Sequence, residues 1–189
     1  MSDRRGDATE GLNNQGRVDG ERVNHMSSNP NSRQLALATN FGQVFELVKR
    51  AAEQSLDMHR AGLTLVLGDI PNNVGAYHEL GSNAIVMNRN IVKIVWRSTS
   101  ATDKRNAFTF MILLHEYLHA LGFTDEGQVA DLGKKIADEF LGKDHMAGEM
   151  AVKPLNQFFP EISQYAMFRD KGQFETVERF DSSSTSYIR

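Results

Sequence analysis

The sequence predicts a single α+β domain, with a small twisted sheet of about three to four strands packed on an N-terminal helix, a central buried helix and the helix after it. Three observations carry this prediction. Residues 41–60 place Val44, Phe45, Leu47, Val48, Ala51, Ala52 and Leu56 at helical spacing, with charges between them. Residues 63–88 hold short apolar runs broken by Gly, Pro and Asn, the punctuation of strands and turns. Residues 106–140 return to helical spacing on both sides of Gly122.

Taken in order, the strands are expected at Leu63–Leu67, closed by Gly68-Asp69-Ile70-Pro71, at Val74–Tyr77, and at Asn83–Asn88 after Gly81-Ser82. Ile91–Trp96 is too short to type: Asn90 as N-cap favours a helix, and β-branching favours a strand. The run from Asn106 to Leu114 is apolar nearly all round and free of Gly and Pro, which describes a buried helix. Asp103 is its candidate N-cap and Gly122 its candidate stop. A second amphipathic helix follows from Asp125, with Val129, Leu132, Ile136 and Phe140 on one face and a capping box between Asp125 and Gln128. So short a connection makes the two helices an antiparallel hairpin.

The apolar residues lie between about 35 and 168, so the domain is expected over 35–170. Residues 1–34, rich in Asn, Arg, Asp, Gly and Ser, are expected to be a disordered tail, and 171–189, with their serine run, a flexible one. A net charge of −3 offers no basic surface for phosphates, so nucleic acid is not an expected partner. No stretch approaches the roughly 18 apolar residues of a membrane span, and the N-terminus lacks the apolar core of a signal peptide. With no cysteine, disulfides and thiolate ligands are excluded, and a cytoplasmic location is the expectation.

The chemistry is concentrated in His115-Glu116-Tyr117-Leu118-His119. Positions four apart on a helix share a face, so His115 and His119 can offer ring nitrogens to one ion, zinc by preference, while Glu116 stands beside it as a base. A buried helix bears such polar groups only where something satisfies them. A catalytic zinc needs a third protein ligand. The hairpin brings the start of the second helix opposite the end of the first, which makes Glu126 the expected third ligand. Asp125, six residues after His119, Glu139, twenty after it, and His145 are the alternatives. His145 could also donate a hydrogen bond to a transition state or sit as a cation at a helix C-terminus. Tyr77, Tyr117 and Tyr165 are candidate oxyanion donors, and His78 precedes the third strand, whereas His25 falls in the N-terminal tail and His59 near the end of the first helix.

The stretch H-E-Y-L-H-A-L-G-F-T-D-E, residues 115–126, resembles the zincin metallopeptidases, and more narrowly the minimal single-domain archaeal gluzincins, the minigluzincins. The resemblance implies a zincin-like fold, one zinc ion per chain held by His115, His119 and Glu126, and Glu116 as general base for hydrolysis of a peptide or protein substrate. It also implies that a strand shortly before the motif helix forms the cleft rim on which an extended substrate pairs, for which residues 84–88 are the candidate. One departure is visible: where larger gluzincins often carry an aspartate four residues after the ligand glutamate, this chain has Ala130, with Asp131 next to it. Residues 154–170, rich in aromatics, could dock in the cleft and hold the enzyme latent, or could complete the core. The alternative function is a zinc-binding regulatory or peptide-binding module without efficient proteolysis.

Overall fold

The computed structural model describes residues 29–71, 73–164 and 172–183. Helix α1 (Pro30–Leu37) begins at a local signal: the Asn29 side chain accepts from the Asn31 and Ser32 amides, and Pro30 occupies the first turn, where a missing N–H costs nothing. Helix α2 (Phe41–Leu56) is capped by Asn40 and ends in a left-handed residue, Asp57. It stops short of residue 60, so His59 is an exposed loop residue rather than a helix-terminal one. Strands β1 (Thr64–Gly68), β2 (Ala76–His78) and β3 (Ala84–Asn88) follow, then α3 (Arg89–Ser98). The ambiguous 91–96 stretch is helical because Asn88, not Asn90, supplies the cap, its Oδ1 accepting from the amides of Asn90 and Ile91.

The central helix α4 (Thr102–Ala120) leads into α5 (Glu126–Leu141), α6 (Met146–Val152), a 3-10 turn (Leu155–Gln157), α7 (Glu161–Gln164) and strand β4 (Phe174–Thr176). Ala101 precedes α4 without a side-chain cap, and Asp103 lies in the first turn, where its charge faces the positive end of the helix. The sheet order is β2-β3-β1-β4. β1 and β3 are parallel, and both outer strands run antiparallel to their neighbours.

Helix α4 is the axis of the core. Tyr117 meets Phe45 of α2 edge-on, Phe108 meets Phe159 edge-on, and Phe110 stacks on Phe140 of α5. The buried amide of Asn106 donates to the carbonyls of Leu35 and Ala38, tying the end of α1 to the same helix. A helix held by packing on so many sides is a rigid platform for the side chains on its last turns.

Several expectations are corrected. The domain does not start at 35: α1 begins at Pro30, and Asn29 and Asn31 both donate to the Phe140 carbonyl at the end of α5. Its sequence hides this because only Ser32 and Leu35 of the helix are buried. Nor is 171–189 merely a tail. β4 extends the sheet beside β1, Phe180 stacks on Phe45, and Asp181 is buried against Lys49. Three strand residues and two anchors in a polar segment leave no periodicity to read. Residues 84–88 form an interior strand, paired on both sides, so they have no free edge to offer, and the outer strand on that side is β2. Hydrophobic alternation reports that a strand exists, not where it ranks in the sheet.

The described part of the segment proposed to block the cleft, 154–164, lies elsewhere. Phe159 is buried against Phe108, and the Phe158 carbonyl accepts from Lys104, all on the N-terminal half of α4. Residues 165–170, Tyr165 among them, lie outside the described residues. Among the described residues no helix is long and apolar enough to cross a membrane.

Candidate metal centre

The end of α4 sets the geometry of the site. Gly122 takes a positive φ of 106°, the Gly122 amide returns to the His119 carbonyl, and the Phe123 amide returns to that of Leu118. This paired closure ends the helix abruptly and reverses the chain. Arg60 reinforces it, donating to the Ala120 carbonyl at the negative end of the helix and to the Ser82 carbonyl of the β2–β3 turn. Four residues after Gly122, α5 begins at Glu126, its N-cap Asp125 accepting from the Gln128 amide at 2.7 Å.

The reversal brings two imidazole nitrogens and one carboxylate together. His119 Nε2 lies 3.2 Å from His115 Nε2, His115 Nε2 lies 3.2 Å from Glu126 Oε2, and His119 Nε2 lies 3.4 Å from Glu126 Oε1. Ligand atoms bound at about 2.05 Å to a tetrahedral ion stand about 3.3 Å from one another. The three residues therefore form a group that could hold one metal ion. The hydrogen bonding around the imidazoles suits this. The His119 Nδ1–H donates to the Phe123 carbonyl at 2.8 Å, which leaves Nε2 as the lone-pair atom facing the group. Burial, followed by the neighbouring His119, pushes His115 below the usual imidazole range, which favours the uncharged ring that a metal binds.

The His119 ring is thus held by a main-chain carbonyl that the Gly122 turn delivers. Ala130 lines a small apolar cavity between α4, α5 and α6, and Asp131 is exposed.

The rival ligands are engaged elsewhere. Asp125 is occupied as the α5 cap. Glu139 accepts from Ser55 and pairs with Lys135, thirteen residues along α5 from Glu126, or about 20 Å at the helical rise. His145 is the N-cap of α6, its Nδ1 accepting from the Ala147 amide.

Glu116, one position past His115, lines the same cleft as the triad and is only 5% exposed. Burial, seconded by the charge of Glu126, pushes its carboxyl up to about 8, while the His78 main-chain N–H donates to it and opposes the rise. That N–H is available because of strand register. The Asn88 amide donates to the Gly75 carbonyl, so residues 75 and 77 direct their main-chain groups at β3 while Ala76 and His78 direct theirs outward. The outer edge of β2 therefore presents the N–H and C=O of Ala76 and the C=O of His78 next to the triad. The His78 ring is held separately, Nδ1 to the Ala84 carbonyl at 2.9 Å.

A cleft of about 300 Å³ opens between β2 and α4, lined by His115, Glu116, His119 and Glu126 on one side and by Ala76, Tyr77, His78 and Leu80 on the other. Tyr117 is not part of it: fully buried, its hydroxyl donates to the Arg60 carbonyl and accepts from the Arg60 amide. The sequence reading missed β2 as the wall of the site and the main chain of His78 as partner to Glu116. No side-chain pattern encodes a main-chain donor. No family model, curated protein or solved structure compared with this chain matches it.

Proposed function

We propose that this protein is a zinc-dependent peptidase, with His115, His119 and Glu126 holding the metal and Glu116 acting as general base. The observation that carries this reading is the cluster of two imidazole nitrogens, 3.2 Å apart, each within 3.2–3.4 Å of one oxygen of the Glu126 carboxylate, beside a buried carboxylate and an outward strand edge. Two imidazoles, one carboxylate and no thiolate is a donor set that zinc hydrolases use. Bound there, zinc would supply a Lewis acid that polarises a carbonyl, acidifies water and offsets the charge of Glu126.

The residues of the chain perform the rest. The outward groups of Ala76 and the carbonyl of His78 pair with the main chain of an extended peptide and hold its scissile bond over the cleft. Glu116, drawn back to its ionised form by the positive charge that a bound metal would bring, takes a proton from the attacking water, while the His78 N–H holds the carboxylate in line. As the C–N bond breaks, Glu116 passes that proton to the departing nitrogen, so acid and amine leave with the base restored.

The test is casein cleavage by protein purified without a histidine tag. Cleavage is expected to stop on chelation and to return with stoichiometric zinc. A zinc-loaded, folded protein that cleaves neither casein nor short peptides would refute the peptidase and leave a zinc-binding module.

A further inference from the structure

We propose that Tyr77 and Leu80 select the substrate by receiving a large apolar side chain next to the scissile bond. The inference rests on the peptidase reading above and adds to it a class of preferred peptide.

Leu80 is 66% exposed and Tyr77 40%, and both line the same cleft as His115, Glu116 and His119. Leu80 sits in the four-residue turn 79–82, closed by the Ser82 amide on the Glu79 carbonyl, with Gly81 at a φ of 84°. This is the first corner of a turn of the type that requires glycine at the second, a position where a polar residue would serve the backbone equally well. A leucine there gains nothing for the fold. It becomes buried only when something enters the cleft.

The turn is also fixed before that happens. Arg60 donates to the Ser82 carbonyl and to the Asn83 side chain, and the Ser82 hydroxyl accepts from the Ala84 amide. Leu80 is therefore presented by a braced loop, and little ordering cost accompanies contact. Apart from the four residues assigned to zinc and catalysis, the lining consists of Ala76, Tyr77, His78, Leu80 and Thr124, with no lysine or arginine to pair an acidic side chain. A basic side chain would meet carboxylates already engaged with the metal and with water. The lining that remains matches an apolar group carried by a peptide whose main chain pairs with the edge of β2.

The experiment uses alanine-rich octapeptides that differ at one central residue, Leu, Phe, Asp or Lys. Their turnover is measured with wild-type, Leu80→Ser and Tyr77→Ser proteins. Their binding is measured by fluorescence anisotropy on zinc-loaded Glu116→Gln protein, with and without Leu80→Ser. Wild-type protein is expected to favour Leu and Phe over Asp and Lys by about tenfold or more in kcat/KM and in Kd, a discrimination typical of one apolar side chain. In the Leu80→Ser and Tyr77→Ser proteins the ratio is expected to collapse toward unity. Glu116-dependent cleavage without side-chain preference, or with a preference that both serine variants retain, overturns this inference and leaves the peptidase standing. Absence of both cleavage and binding overturns both.

Discussion

Glu116→Gln is expected to retain its zinc and to lose peptide turnover by about 10³-fold, the scale of removing a general base. The amide has the shape of the carboxylate it replaces and can still accept from the His78 N–H, so β2 and the cleft stay in place. It is also neutral, which a site only 5% exposed accommodates readily. What it cannot do is take a proton. The three metal donors lie on other side chains, so metal content and turnover separate in this variant, whereas loss of a histidine removes both. A zinc-loaded Glu116→Gln protein with near-normal kcat would remove Glu116 from the chemistry.

Asp181→Ala is expected to cost about 3 kcal/mol of stability, because it leaves the Lys49 ammonium buried without its main counter-charge. The two side chains are 2.7 Å apart and 5% and 1% exposed, and Glu46, the other carboxylate beside Lys49, is 42% exposed. Asp181 also accepts from the Gly62 and Leu63 amides and from Ser183, so one carboxylate fastens the C-terminal segment to α2 and to the chain entering β1. For a protein of this size that corresponds to a fall in Tm of about 6–12 °C. β4 and β2 are opposite edges of the sheet, so kcat below the melting range is expected to hold.

The same pair sets a pH window. Burial alone would raise the Asp181 carboxyl, but hydrogen bonds from Lys49, Ser183 and Leu63 outweigh it and hold the group below the ordinary aspartate range. Its stabilisation is complete above the unfolded value near 4 and is lost as pH falls through the lower folded value. Burial would lower Lys49, but Asp181 and Glu46 hold it above the ordinary lysine range. Its share is complete below roughly 10.4 and is lost as pH rises beyond the folded value. Thermal melts of wild-type and Asp181→Ala proteins should therefore differ most between those limits and converge in acid. Equal Tm values at neutral pH would show that the pair contributes nothing.

The parts of this fold legible in the sequence are those that repeat. Helices α2, α4 and α5 announce themselves by apolar spacing, and Asp125, Gln128 and Gly122 mark where the hairpin turns. From that hairpin the juxtaposition of Glu126 with His115 and His119 follows, because a short reversal allows only the first turn of α5 to face the last turn of α4. What is illegible depends on single contacts or on tertiary order. Asn88 types α3 through one side chain, with Oδ1 on the helix amides and Nδ2 on the carbonyls of Ile70, Pro71 and Val74. Asp181 brings a polar tail into the core through one ion pair. The rank of β2 at the sheet edge, and with it the identity of the cleft wall, arises from strand pairing across the whole domain, which no local pattern records.

Zinc per chain, measured by elemental analysis on untagged wild-type protein with His115→Ala and Asp125→Ala alongside, tests the central claim most directly. One zinc is expected in the wild type and in Asp125→Ala, where only a helix cap is lost, and none in His115→Ala. Wild-type protein that stays metal-free after reconstitution, or a His115→Ala protein that keeps its zinc, would contradict it.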